Sequence, residues 1–507
     1  MTDTSPLASY LSRAAASGDS PDAGFIAYLA SLQQIATVSP DVARSIVAEL
    51  ADQRGNLKMI ASENFSSLAV QLAQANLLTD KYAEGYPFHR FYAGCDNVDA
   101  VESLAASLAV EIFGADHAYM QPHSGADANL VAYWAILSAR VQVPFMEKLE
   151  QTDPSALSDD EWAELRSVLG NQRLLGMNYY SGGHLTHGYR HNVSSRMFDA
   201  YSYDVDRETG LLDYDDIRAR AQEIKPFILL AGYSAYPRHI NFRKMREIAD
   251  EVGAVFMVDM AHFSGLVAGG VFTGDNNPVA YADVVTSTTH KTLRGPRGGF
   301  IMCREEFAEH VDKGCPMVLG GPLPHVIAAK AVAFQEIATD QYKAYANRIV
   351  ENASALACAL IKEGVSVLTG GTDNHLMLVN VTPFGLTGRQ AESAMRDATI
   401  TLNRNSLPFD ANGPWYTSGL RIGTPALTTL GMGPDEMVEI ASIVKTVLAN
   451  TSASKITKGR NSGTLSKARY RTDEAALQQA QKQVSELLVK FPVYPEIDLE
   501  FLQQSFG

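Results

Sequence analysis

The sequence predicts an α/β protein: a large domain whose mostly parallel sheet is sandwiched by helices, followed by a smaller C-terminal α/β domain. Three observations carry this. Ala254-Val255-Phe256-Met257-Val258 is an unbroken apolar run, as in a strand buried on both faces, and it follows a helical stretch at 241–252. A second strand-like run, 282–286, passes through Ser287-Thr288-Thr289-His290-Lys291-Thr292 into a turn rich in glycine and proline, 293–299. Beyond residue 365 the strands become shorter and alternate with helices in a separate block.

The 507 residues leave room for two or three domains, and 46% hydrophobic with 20% charged residues is an ordinary globular balance. A net charge of −15, from 42 basic and 57 acidic side chains, argues against nucleic acid or an anionic membrane as the main partner. Cys95, Cys303, Cys315 and Cys358 show no Cys-x-x-Cys spacing. That scatter predicts a reducing, cytoplasmic setting with neither a zinc site nor a disulfide framework. Residues 1–24 resemble neither a secretory signal nor an Arg-rich transit peptide, and no stretch approaches the ~18–20 apolar residues of a membrane span.

Taken in order, residues 1–24 are small and polar and read as a mobile lead-in. Residues 41–57 read as an arm helix with Val42, Ile46, Leu50 and Leu57 on one face, completing an N-terminal segment 1–58. The large domain spans 59–335. Ile60-Ala61-Ser62-Glu63-Asn64 and Tyr82-Ala83-Glu84-Gly85-Tyr86-Pro87-Phe88-His89-Arg90-Phe91-Tyr92 have no period and too many polar groups for a core. They are therefore loops, with Glu84 either a candidate acid/base or simply an exposed carboxylate.

A helix at 99–113 and a strand at 118–121 lead to Ser124-Gly125-Ala126, where a second helix begins. Unpaired N–H groups and the helix dipole make such a start an anion site, although a Ser-Gly turn also simply caps a helix. Residues 141–173 are acidic, carry Trp162, Leu165 and Leu169 at helical spacing, and read as a surface insertion. His184 and His187 stand three apart after a strand at 174–178, but no cysteine or carboxylate lies near in sequence, so no metal is expected.

A strand at 227–233 runs into Ser234, and the 254–258 strand ends on Asp259, where open α/β sheets bind ligands. The small domain, 336–507, follows a long helical region from 325 to about 364. It holds strands at 365–368, 375–381, 400–403 and 420–422 and helices at 388–398 and 433–449. Arg421, on a strand edged by glycines, is either structural or a carboxylate clamp. Residues 450–472, rich in Ser, Lys, Arg and Gly, read as a loop, and 473–491 as a terminal helix.

A strand-end lysine, a strand-end aspartate and a phosphate cup together are what pyridoxal phosphate needs: an amine for its aldehyde, a carboxylate for its ring nitrogen and donors for its phosphate. At this point the chain resembles the serine hydroxymethyltransferases. The resemblance rests on Thr288-Thr289-His290-Lys291-Thr292 with Gly295-Pro296-Arg297-Gly298-Gly299, and on Ile60-Ala61-Ser62-Glu63-Asn64. Tyr82-Ala83-Glu84-Gly85-Tyr86-Pro87, Gly183-His184-Leu185-Thr186-His187-Gly188 and Val258-Asp259-Met260-Ala261-His262 also carry it. It runs from about residue 40 to 449, apart from the insertion.

The resemblance implies a fold-type-I pyridoxal-phosphate transferase that moves a hydroxymethyl carbon between serine and tetrahydrofolate. It also implies a homodimer, or dimer of dimers, with shared active sites. Lys291 would be the Schiff-base lysine, Asp259 the partner of the pyridine nitrogen and His184 the group stacked on the ring. Ser124, Gly125, Ala126, Ser234, His262, Thr288 and His290 would surround the cofactor, with Gly321 approaching from the other subunit. Arg421 and Ser62 would hold the amino-acid carboxylate. Tyr82, Glu84 and Tyr92 would come from the partner, Glu84 as proton carrier, and Gly183, Leu185, Asn405 and Tyr179 would line the folate slot.

Four residues depart from the pattern. Ala126 and Asp127 stand where serine and glutamine are usual, Phe91 replaces a tyrosine, and Tyr179 occupies an ordinarily aliphatic place. Tyr179 and Phe91 keep open a folate-independent aldolase or amino-acid racemase on the same fold. A non-catalytic scaffold is a third reading, opposed by the presence of Lys291, Asp259, Glu84 and Arg421.

Overall fold

The computed structural model describes residues 5–18, 20–459 and 462–507. Residues 1–4 and 19 of the predicted lead-in, and 460 and 461 of the predicted loop, lie outside it. The rest of the lead-in is ordered, contrary to the composition-based reading. Helix α1, Pro6–Ser17, is capped by Ser5, whose Oγ accepts from the Ala8 N–H, and ends at Gly18 in the left-handed region. Leu7 and Tyr10 recur at helical spacing and pack beside Phe25 and Phe501, Tyr10 meeting the Phe25 ring edge-on at 4.8 Å.

Helices α2, Ala23–Val38, and α3, Pro40–Gly55, form a hairpin. The buried face of α3 is Ala43, Val47 and Leu50: Leu50 belongs to the predicted stripe, while Ala43 and Val47 stand one residue on from Val42, which is exposed, and Ile46. That rotation turns the smaller alanine towards the apolar cluster of Phe25, Leu29 and Leu32 on α2. Leu57 lies past the helix, in a two-residue strand parallel to Ile400–Thr401.

Helix α4, Asp96–Phe113, and strand β1, His117–Tyr119, precede helix α5, Gly125–Leu137. The acidic excursion contains helix α6, Asp159–Gly170, closed by a reciprocal capping box between Ser158 and Glu161, with Leu165 buried. Strands β2, Arg173–Met177, β3, Asp199–Tyr203, β4, Ile228–Gly232, β5, Val255–Asp259, β6, Val284–Thr288, and β7, Gly299–Cys303, complete the large sheet. Its order is β1-β7-β6-β5-β4-β2-β3, parallel except for β7, which runs antiparallel to both neighbours. Strands β4 to β7 are buried at every position, as strands covered on both faces are, with one apolar cluster on each face.

The long helical region expected from 325 to about 364 consists of two helices, α7, Pro324–Ile337, and α8, Asp340–Lys362. Thr339 stops the first run by taking an extended conformation and capping the second through the Tyr342 N–H. Helix α8 joins the two halves: Tyr342, Ala346 and Ile349 pack into the large-sheet core, and Ala353, Leu356 and Leu360 into the second core. The small sheet, β8-β9-β11-β10, comprises Ser366–Val367 (β8), Leu376–Asn380 (β9), Asn403–Asn405 (β10) and Gly419–Gly423 (β11).

Residues 450–472 also correct the sequence reading. Thr451–Lys455 and Leu465–Thr472 form an antiparallel ribbon instead of a loop. Gln390 holds that ribbon, its Nε2 donating to the Ser466 and Arg469 carbonyls. Alternating exposure along Leu465–Thr472 gives the period of two, hidden in composition because both faces are polar. The terminal helix Glu474–Lys490 is present, and a further one, Leu499–Phe506, packs on the N-terminal hairpin.

Candidate active site

The carboxyl ends of β5 and β6 open into a cavity of about 460 Å³, within the range of small-molecule sites. Eleven of the residues singled out in the sequence line it: Ser62, Tyr179, Gly183, His184, Leu185, Ser234, His262, His290, Lys291, Asn405 and Arg421. Residues more than 350 positions apart thus share one chamber. A second cavity, about 520 Å³, lies between α2, α3 and Tyr494 and Ile497, and it lacks any such convergence of cations and imidazoles.

Lys291 sits in the turn after β6. Its carbonyl accepts from Asn64 Nδ2 at 2.9 Å and from the Arg294 N–H, and the Thr289 carbonyl accepts from the Gly295 N–H, so the turn is held on both sides. Burial brings the Lys291 amine down to about 8; Asp259 opposes the shift, while Arg421 and Arg297 add to it. A much larger share of the amine is therefore neutral and nucleophilic near pH 7.5 than for a surface lysine.

Asp259 ends β5 and is buried. Its Oδ2 accepts from Asn129 Nδ2 at 2.9 Å and lies 3.2 Å from His187 Nε2, while Oδ1 accepts from the Ala261 N–H at 3.1 Å. Burial by itself would raise this carboxyl. The hydrogen bond and charge of His187, followed by His184 and Lys291, outweigh it and hold the group well below the usual carboxylate range. Asp259 is an ionised buried carboxylate, poised to pair with a cation.

No carboxylate stands near His184 and His187 in sequence, but the fold brings Asp259 to both. The ring hydrogen bonds explain the cluster without a metal. His187 Nδ1 accepts the His184 N–H at 3.3 Å, so the other nitrogen carries the proton that faces Asp259. His184 Nδ1 accepts the Thr186 N–H and stands 2.7 Å from Thr186 Oγ1, which fixes the ring plane. Burial, opposed by Asp259, brings His184 down to about 4, so the ring is neutral and can stack on an aromatic ligand.

Helix α5 supplies the cup. Ser124 caps it by accepting the Asp127 N–H and donates its hydroxyl proton to Asp127 Oδ2. Ala126 puts no hydroxyl into the first turn, leaving the backbone N–H groups of Gly125 and Ala126 as donors without intrahelical acceptors. A Cβ on Gly125 would lie 2.8 Å from Thr288 Cγ2, so only glycine lets the helix start this close to the end of β6. Asn129, one turn further along, reaches Asp259 and so ties the helix that carries the cup to the carboxylate at the end of β5.

Arg421, on β11, donates Nη1 to the Ser234 carbonyl at 2.7 Å and Nε to Asn403 Oδ1 at 3.2 Å. Its Nη2 edge is left for a carboxylate. His262 and His375 lie behind it, Nδ1 to Nε2 3.2 Å apart; burial, helped by the nearby cations, keeps both neutral, His375 at about 3.

Tyr82, Glu84, Tyr92 and Gly321 form a second group that does not line the Lys291 cavity. The Tyr82 hydroxyl donates to Glu84 Oε1 at 3.2 Å, and the Tyr82 and Tyr92 rings meet edge-on at 5.0 Å. A Cβ built on Gly321 would touch the Tyr82 ring at 3.2 Å. Sequence reasoning missed Asn129, Thr186, His187, Asn403 and His375 as site members. His187 carried a weak signal in its spacing from His184; the others carried none.

The group of a lysine amine, an ionised buried carboxylate, a neutral stacking imidazole, a helix-start anion cup and a half-free guanidinium fits pyridoxal phosphate with an amino acid. The family model of serine hydroxymethyltransferase matches residues 35–150 and 162–444, breaking only at 151–161, inside the acidic excursion. The serine hydroxymethyltransferase of Treponema pallidum is 60% identical over 99% of this chain and 87% of its own length. Those of Salinispora tropica, 58% identical over 93% of this chain and 98% of theirs, and Mycolicibacterium smegmatis, 56% over 96% and 97%, are similar at full length.

Proposed function

The chain belongs to the serine hydroxymethyltransferase family, and from that we propose how its residues divide the reaction. The enzyme uses pyridoxal phosphate to move the hydroxymethyl carbon reversibly between serine and tetrahydrofolate, with glycine and 5,10-methylenetetrahydrofolate as products. Full-length identity of 56–60% to such enzymes supports this over a folate-independent aldolase or racemase. When bound, the cofactor supplies an aldehyde that captures amines and a pyridine ring that draws electrons from a breaking bond.

Lys291 would hold the aldehyde, its lowered amine being the nucleophile that the cavity supplies. Asp259 would pair with the pyridine nitrogen and favour its protonated form, and the neutral His184 ring would stack on the cofactor. Ser124, the N–H groups of Gly125 and Ala126, Ser234, His262, Thr288 and His290 would serve the remaining polar edges, and Gly321 of a second copy would approach the phosphate. Arg421 grips the substrate carboxylate with its free edge, beside Ser62. Gly183, Leu185, Asn405 and Tyr179 form the folate slot; Leu185 and Tyr179 are partly exposed at the cavity mouth, as a bound pterin would require.

Glu84, carrying the proton for carbon–carbon bond making and breaking, acts with Tyr82 and Tyr92 on the site of a partner subunit. Two observations support a homodimer, or dimer of dimers. The Glu84 group stands apart from the chain's own cavity, and Leu77, Phe88, Phe91 and Met317 leave apolar surface exposed around it. The four cysteines, all unpaired, accord with a cytosolic setting. No helix among the described residues is long and apolar enough to cross a membrane.

The convergence of Lys291, His184 and Arg421 on one cavity, with Asp259 buried against His187 and within the electrostatic reach of Lys291, carries the assignment of roles. Serine cleavage should depend on added tetrahydrofolate, with glycine and methylenetetrahydrofolate formed one for one. Equal cleavage of serine without folate would sink the folate-slot assignment. A second expectation follows from the lowered Lys291 amine. Capture of the cofactor by apoprotein should accelerate with pH and level off above about 8, because only the neutral amine attacks. Stopped-flow capture rates that keep rising to pH 10 would show an ordinary lysine.

A further inference from the structure

The segment that presents Glu84 is held by a buried polar network that no step above uses. Arg90 is almost wholly buried. Its Nη1 donates to the carbonyls of Ala83 and Gly85, both at 2.9 Å, the two residues flanking Glu84. The Glu84 carbonyl accepts the Phe91 N–H at 3.0 Å, so three successive carbonyls are fixed. Gly85 has φ +95, and a Cβ there would fall 2.2 Å from the His89 carbonyl, so the turn tolerates only glycine.

The network continues inward. Arg90 Nη2 donates to Glu102 Oε2 at 2.7 Å and Nε to Asp99 Oδ1 at 2.8 Å. Gln121 Nε2 donates to Glu102 Oε1 at 2.8 Å and to the Gly85 carbonyl at 2.7 Å, and Gln121 Oε1 accepts the Tyr119 hydroxyl. Lys330, itself buried, donates to the carbonyls of Met120 and Pro122, which bracket Gln121. Gln121 therefore cannot shift without breaking a second set of bonds.

We propose that Arg90 and Gln121 are positioning residues that set the placement of the Glu84 carboxylate by clamping the carbonyls on either side of it. The proposal rests on the reading of Glu84 as the proton carrier. A buried Arg90–Glu102 ion pair needs only the charge. The two-carbonyl fork and the Gln121 bond to Gly85 instead grip the Glu84 backbone, and displacement of a reacting group by about 1 Å costs up to ~100-fold in rate.

The test is a pair of double-mutant cycles in the full-length holoenzyme. Glu84→Gln should lower kcat by ~100-fold or more. Arg90→Lys keeps a cation beside Glu102 but cannot span both carbonyls; it should lower kcat by ~10-fold or more with the serine KM within about twofold. Gln121→Met, which leaves the ion pair whole, should act in the same direction and stands in if Arg90→Lys does not fold.

In the Glu84→Gln background either change should cost almost nothing further, since the group they position is gone. Amide exchange at Phe91 should quicken in both variants. Losses that multiply with Glu84→Gln, or unchanged protection at Phe91, overturn the positioning role alone. Full activity of Glu84→Gln itself overturns the reading of Glu84 and the proposal with it.

Discussion

Replacing Lys291 by alanine should lower serine hydroxymethyltransfer by ~10³-fold or more. Borohydride treatment should then fail to fix pyridoxal phosphate to the chain, although the cofactor still binds. The two effects separate because, on the proposed roles, groups other than the amine would also hold the cofactor. The Asp259 carboxylate and the donors at the start of α5 do not depend on Lys291. Free amine in the buffer should restore little activity, since no small molecule reproduces a turn held by Asn64, Thr289 and Gly295. Lys291→Arg should be as inactive as alanine: a guanidinium stays protonated at any working pH and cannot attack. Labelling of a peptide other than the one containing Lys291 in the parent protein would defeat the assignment.

The positions proposed to carry the chemistry stand out in the sequence because they lie where strand, turn and helix patterns meet. Lys291 and Asp259 each end an apolar run, and Ser124-Gly125 opens a helix; those boundaries are written in local sequence. Arg421 was ambiguous for the same reason, since a strand between glycines says nothing about what faces it. The groups that hold these residues in place were not legible. Asn129 reaches Asp259 across 130 positions, and Asn403 meets Arg421 only because two small-sheet strands pair in register. Local pattern carries no information about such pairings.

The fold errors have a different cause. Composition hid α1 and the 451–472 ribbon, since both are rich in small or polar residues. In α1 the signal was the spacing of Leu7 and Tyr10, and their burial depends on Phe501, nearly the whole chain away. The split after Ile337 turns on a single threonine that caps better than it continues a helix.

Asp259→Asn should cost about as much activity as loss of Lys291, ~10³-fold, for reasons visible in its three hydrogen bonds. A carboxylate accepts on both oxygens: Oδ2 from Asn129 and from the proton that His187 must carry, Oδ1 from the Ala261 N–H. Asparagine has one accepting oxygen. Whichever way the amide turns, its NH₂ faces a buried donor, and such a mismatch costs about 1–3 kcal/mol. The neutral amide also cannot stabilise a protonated pyridine nitrogen, so the ring loses its pull on electrons even if the cofactor binds. The charge matters because burial opposes it: the hydrogen bond and charge of His187 lead the influences that hold the carboxyl low, and the amide removes what the three hydrogen bonds were arranged around. Urea unfolding of apoprotein should show a midpoint lowered in line with that cost, while holoprotein should show the activity loss at near-normal cofactor occupancy. A variant with a native unfolding midpoint and more than a tenth of the parent activity would mean that Asp259 does not govern the ring, and that another group supplies its charge.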